Sequence, residues 1–230
     1  MSKQSTRARR AAPPPPKKKV WWPWALLAGV IVIALVIAIV STLGSDEKVS
    51  QGTVGTDNSS SVAETQPVSV VGDALPRQLQ PGVDETPLGL AAPTLKGFHF
   101  DGSSIDITPG GKAKMVVFLA HWCPHCNNEI PVLLSWRDAG QIPADLDIVG
   151  ISTAANAQRD NYPPSDWLVR KGWTWPVLVD SADQEAAAAY GLGFYPTFVI
   201  VGADGNVKLR VSGEVPQADL TSMVNQALAS

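Results

Sequence analysis

The chain changes character three times along its length. Residues 20–40 (VWWPWALLAGVIVIALVIAIV) form an apolar run of 21 residues without a charge. As a helix that run rises roughly 32 Å, enough for a hydrocarbon core of ~30 Å. Trp21, Trp22 and Trp24 stand at its start, where an aromatic belt lies, and Pro23 falls near the first turn, where its missing N–H is harmless. The pattern predicts one transmembrane helix over residues 20–43. The alternative is a cleaved signal peptide. Such a peptide has a shorter apolar core and a small-x-small cleavage site, which residues 39–43 do not offer. Residues 44–90 are rich in Gly, Ser, Thr, Gln, Val and Pro and follow no period of 3.6 or 2. They predict a flexible tether, with Val68–Val71 able to pair as an extra strand.

From residue 91 onward the pattern alternates between strand and helix. Phe98–Phe100 and Ile105–Ile107 flank an Asp101-Gly102 turn and predict a hairpin. The continuous apolar run Ala113–Ala120 (AKMVVFLA) predicts a buried central strand, and Asp147–Ser152 (DIVGIS) another. A helix is predicted from Pro124 to about Asp138, interrupted at Pro131. A second runs to Lys171 with Ser165 as its cap, and Val177–Asp180 is a short strand. Asp183–Tyr190 is a helix stopped by Gly191. Thr197–Val201 and Val207–Val211 form a hairpin around Asp204-Gly205, and Ala218–Ala229 closes the chain as an amphipathic helix. The series predicts an α/β domain with a mixed central sheet over residues 91–230, a length that buries a core unaided.

Charge divides the chain in the same way. The first 19 residues hold seven Lys and Arg and no Asp or Glu. They predict a basic cytoplasmic tail, and by the positive-inside rule the chain beyond Ser41 lies outside. Setting those seven aside leaves 11 Lys and Arg against 21 Asp and Glu, a formal charge of −10. Such a body presents no cationic face for phosphates, so nucleic acid is excluded as its partner.

The chain has two cysteines, Cys123 and Cys126, in Trp122-Cys123-Pro124-His125-Cys126. Two cysteines build neither a disulfide-dense scaffold nor a finger-type zinc site. They fall where a buried strand ends and a helix begins. Free N–H groups and the helix dipole favour a negative charge there, so a thiolate at Cys123 is stabilised. Cys126 lies one helical turn on and can reach that sulfur. His125 adds a donor or a positive charge. Trp122 reads as packing and substrate platform, and His99 and His121 as ordinary surface or rim residues. Half a zinc site and an inert disulfide are the bland alternatives.

W-C-x-x-C at a strand–helix junction resembles the thioredoxin superfamily. Pro131, five residues after Cys126, matches its helix-kinking proline. Tyr195-Pro196-Thr197 resembles its cis-proline loop, in which the residue before the proline offers backbone groups to a substrate chain. AAPTLKGFHFDGSSIDI resembles the N-terminal hairpin of the TlpA/ResA/DsbE-type branch, and so does Glu129 in C-N-N-E-I-P. The resemblance implies that Glu129 tunes proton transfer to the cysteines; the alternative is a solvated helix surface. The aspartate of ordinary thioredoxins, six residues before the first cysteine, is Val117 here. Pro-His between the cysteines is similar to DsbA-type oxidants, although their helical insertion is absent.

The resemblance implies a single-pass protein of a bacterial-type cell membrane with an extracytoplasmic thiol–disulfide oxidoreductase domain. Cys123 is the nucleophile and Cys126 the resolving thiol, the two forming the redox-active disulfide. His125 and Glu129 assist, while Trp122, Pro124, Tyr195 and Pro196 line the client groove. The expected partners are client thiols or disulfides and a membrane or extracytoplasmic redox protein. No organic cofactor and no resident metal are expected. Pro-His leans toward oxidation of secreted proteins. The TlpA/ResA likeness leaves reduction open, as in cytochrome c maturation. Cu(I) binding by the thiolates and a degenerate binding module are the readings of other classes.

Overall fold

The computed structural model describes residues 62–230. The basic tail, the expected transmembrane helix of residues 20–43 and the tether up to residue 61 lie outside the described residues. Among the described residues no helix is long and apolar enough to cross a membrane.

Among the described residues nine strands and four helices follow one another in the order β1 (Ser69–Val71), β2 (Gly82–Val83), β3 (Thr94–Phe98), β4 (Ser104–Ile107), β5 (Ala113–Leu119), α1 (Pro124–Asp138), β6 (Leu146–Ser152), α2 (Pro164–Lys171), β7 (Val177–Val179), α3 (Glu185–Ala189), β8 (Thr197–Val201), β9 (Val207–Ser212) and α4 (Gln217–Leu228). The strands make one mixed sheet, ordered β1-β3-β7-β6-β5-β8-β9-β2, with β4 paired to β3. The β5–β6 and β6–β7 pairs are parallel, and β8 and β9 run antiparallel. The expected thioredoxin-like α/β architecture is therefore present.

Burial on both faces explains why β5 and β6 read as continuous apolar runs. Met115, Val117 and Leu119 face a core shared with Ile130, Leu133 and Trp136 of α1. Val116 and Phe118 face a second core with Leu178 and Tyr190. Val117, at the place of the thioredoxin aspartate, is fully buried and apolar.

Four expectations need correction. Residues 62–90 are not all tether. β1 pairs with β3, as the run Val68–Val71 allowed, and beyond that expectation β2 pairs with β9 and Leu75 and Gln78 are buried. Their backbones bond to Ala189 and Gly191, and Gly191 (φ +64) leaves no space for a Cβ beside the carbonyls of Leu75 and Pro76. The strap is held by backbone contacts, so its polar composition does not reveal it. β3 also begins earlier than expected, at Thr94. Gly97 occupies an inward position where a Cβ would lie 3.1 Å from Leu178, so the apolar alternation is broken by a residue chosen for size.

Ser165 does not cap α2. Pro163 holds the cap position, and the Ser165 N–H donates to Glu64 Oε2 at 3.0 Å. The carboxylate that supplies the cap comes from 101 residues upstream. Finally, α1 runs unbroken through Pro131. The proline removes one N–H, and the Asn127 carbonyl four residues before it accepts Lys171 Nζ at 3.1 Å instead.

Candidate active site

α1 begins at the C-terminal end of β5. Cys123 is its N-cap (φ −78, ψ 120), Pro124 occupies the first turn, and no side chain caps the helix. The first turn carries no acidic residue. Its free N–H groups are therefore left to the Cys123 sulfur. Both cysteines are unbonded and buried. The Cys123 thiol donates to Tyr195 O at 3.5 Å, across the turn before Pro196, and the Tyr195–Pro196 peptide is cis. Cys126 lies beneath, its sulfur accepting the Ala120 N–H at 3.5 Å.

The two sulfurs are pushed in opposite directions. A hydrogen bond from the Cys126 thiol lowers Cys123 most, and the amides of Cys126 and His125 and the charge of His125 add to it. Together they outweigh burial and bring Cys123 from 9.0 to about 6. Burial instead drives Cys126 far upward, reinforced by the Cys123 and Glu129 charges.

Glu129, three residues further along α1, is fully buried rather than solvated on the helix surface. Its Oε2 accepts the Val215 N–H at 2.9 Å, and its Oε1 has no partner. Burial pushes it up to about 7 from 4.5. A carboxyl balanced near neutrality, with one free oxygen and its charge felt at Cys126, is suited to exchanging a proton with that thiol. His125 is exposed, and its Nδ1 lies 2.7 Å from Glu214 Oε1. That hydrogen bond raises its pKa above 6.5.

The rim beside Cys123 is a cavity of about 270 Å³ lined by Trp122, Ala154, Asn156, Arg159, Gln184 and Tyr195, among others. Trp122 donates to Ala154 O at 2.8 Å and meets Tyr195 edge-on at 6.0 Å. The Arg159 guanidinium lies 4.7 Å above the Trp122 ring. Pro196 is buried at the turn, and Pro124 is exposed at the helix tip. The eight residues singled out from the sequence therefore converge on one end of the sheet.

His121 corrects an expectation. It is fully buried, not at the surface or rim. Its Nδ1 is 2.7 Å from Asp160 O and its Nε2 accepts the Asn156 N–H at 3.1 Å, so the ring staples the loop that carries Arg159. His99 is partly exposed and lies elsewhere, beside Trp175. Arg159, Glu214 and Val215 were missed by the sequence reading. They approach from loops, and the separation of 89 residues between His125 and Glu214 leaves no local signal. Among the described residues no three His, Cys, Asp or Glu side chains are grouped to hold a metal, so the Cu(I) reading gains no third ligand.

The sequence matches the Redoxin family model over residues 87–228. It is 35% identical over 118 residues to the soluble secreted antigen MPT53 of Mycobacterium tuberculosis, covering 51% of this chain and 61% of that protein. It is 27% identical over 110 residues to the thiol-disulfide oxidoreductase ResA of Geobacillus thermodenitrificans, covering 48% and 60%. The matched region thus spans about three fifths of the length of these relatives. Among solved structures, StoA from Bacillus subtilis aligns with 64% of this chain and 99% of its own at 20% identity, with a TM-score of 0.46.

Proposed function

Because this chain belongs to the Redoxin family, within the thioredoxin superfamily, we propose that it is an extracytoplasmic thiol–disulfide oxidoreductase acting through Cys123 and Cys126. The observation that carries this reading is the opposed state of the two sulfurs. Cys123 is acidic and sits beside the Trp122–Tyr195 rim, and Cys126, fully buried behind it, is pushed toward its protonated form.

In the reducing direction, the Cys123 thiolate attacks one sulfur of a client disulfide. That S–S bond breaks, the client's first sulfur leaves as a thiolate, and a mixed disulfide forms. Cys126 then gives up its proton, toward Glu129, and attacks the Cys123 sulfur. The client's second thiolate leaves, and two electrons have passed to the client. The oxidising direction is the same sequence reversed, from a Cys123–Cys126 disulfide. Tyr195 O, now a hydrogen-bond acceptor for Cys123, and the Trp122–Tyr195 rim would receive the client backbone. A separate redox protein must reset the pair in either direction.

The low pKa of Cys123, to which His125 with its raised pKa contributes, favours the oxidising direction, because a stabilised reduced thiolate makes a couple more oxidising. Oxidation of secreted clients is the reading preferred. Reduction of the kind suggested by the ResA likeness is the alternative. The expected transmembrane segment of residues 20–43, outside the described residues, would anchor the domain with its N-terminus in the cytoplasm.

Two measurements test this. Disulfide exchange on a model client should be abolished in Cys123→Ser, and equal activity in wild type and variant would end the proposal. A Cys123–Cys126 potential near ~−120 mV supports oxidation, and one well below ~−250 mV supports reduction.

A further inference from the structure

We propose that Glu214 is a positioning residue of the redox centre: it holds the His125 imidazole in place and thereby sets how readily Cys123 ionises. This rests on the thiol-exchange reading above and adds a component to it.

Glu214 lies in the short connection between β9 and α4. Its Oε1 receives two donors, His125 Nδ1 at 2.7 Å and Asn128 Nδ2 at 3.0 Å. His125 and Asn128 are three residues apart on α1, so their side chains share one face of the helix. The His125 side chain is 65% exposed and makes no other hydrogen bond among the described residues. Without Glu214 nothing there would fix the ring.

The connection itself is pinned on both sides of Glu214. The Gly213 N–H donates to Pro196 O at 2.9 Å, and the Val215 N–H donates to Glu129 Oε2 at 2.9 Å. Gly213 has a φ of +95, a left-handed turn that a side chain would strain. Three consecutive residues thus touch the cis-proline turn, the imidazole and the buried acid. An exposed ion pair contributes little to stability, so the value of this contact lies in where it places the ring.

The charges around His125 make the role testable by sign. Glu214 and Cys123 both act on His125 and favour its protonated form. A protonated His125 in turn favours the Cys123 thiolate. Glu214 also bears directly on Glu129 and raises it. Acting by itself, the negative charge of Glu214 would disfavour a thiolate nearby. Removing it would then make Cys123 more acidic. Acting through His125, its removal makes Cys123 less acidic.

The experiment is alkylation of reduced full-length protein in detergent with iodoacetamide across a pH series, beside an NMR titration of His125. Glu214→Gln should lower the His125 pKa and raise the Cys123 pKa by about half a pH unit, about halving the alkylation rate at pH 6. Glu214→Asp should restore much of both. In a His125→Ala background Glu214→Gln should produce no rise. A Cys123 pKa that is unchanged or falls in Glu214→Gln, or that rises equally without His125, overturns the proposal. The two readings fail separately. A wild-type Cys123 titrating near 9 removes the thiol-exchange reading itself, whereas an acidic Cys123 indifferent to Glu214 removes only this inference.

Discussion

One carboxylic acid is buried on each face of the sheet, and the two are treated very differently. Asp180, at the end of β7, is saturated. It accepts Thr153 Oγ1 at 2.6 Å and the N–H groups of Ser181, Ala186 and Ala187. Those bonds tie α3 to the sheet. Glu129, on the opposite face, has one backbone donor and one oxygen with nothing to bond. Desolvation raises both, yet the bonds to Asp180 work against that rise from four directions. A buried acid with every lone pair engaged is a structural part. One left half-satisfied, its charge felt at a thiol, is free to change protonation state.

Breaking the saturated acid should have the larger effect on folding. Asp180→Ala leaves four donors without an acceptor and should cost about 3 kcal/mol, read as a lowered midpoint in chemical denaturation. The Cys123 titration should be unaffected. A loss of Cys123 acidity without a loss of stability would erase the contrast between the two acids.

Glu129→Gln should do the converse. The fold should persist, and resolution of a mixed disulfide by Cys126 should slow by about 10²-fold in rapid-mixing experiments. If resolution keeps its wild-type rate, Glu129 takes no part in the proton transfer.

The same substitution removes a pH dependence. Glu129 titrates at about 7 when folded against 4.5 in its ordinary state. The folded protein therefore binds more protons than the unfolded chain between those values. Its contribution to stability is fully present below 4.5 and is lost as pH rises through 7. Denaturation midpoints of the wild type should fall over that window, and those of Glu129→Gln should fall less.

Glu64 sharpens the comparison from the structural side. It is partly buried and both its oxygens are engaged at the start of α2, by the Ser165 N–H and hydroxyl. Glu64→Ala should cost only about 1 kcal/mol, the usual worth of a helix cap, with no change at the thiols.

The sequence carried the chemistry more fully than its setting. Cys123 and Cys126 at a strand–helix junction and the hairpin around Asp204-Gly205 were legible because each is written in adjacent residues. What stayed hidden was written across distance. Glu129 was singled out by the resemblance, but its burial beneath Val215, 86 residues away, has no local signal. His121 looks exposed until the loop at residues 156–160 wraps its ring. Ser165 has the composition of a cap, and a better acceptor arrives from Glu64. A local pattern reports what a residue can do, and the fold decides which neighbour it meets.

The strap over residues 62–90 has a further consequence. β2 occupies the outer flank of β9, and β1 lies along the first three residues of β3. Those flanks would otherwise present unpaired amides and carbonyls, a ready template for a strand from another molecule. Strands of three and two residues thus cover those flanks and leave there only very short edges, which offer another chain little to pair with. Trimming the domain to residue 91 would leave its thiols in place and expose those flanks to self-association.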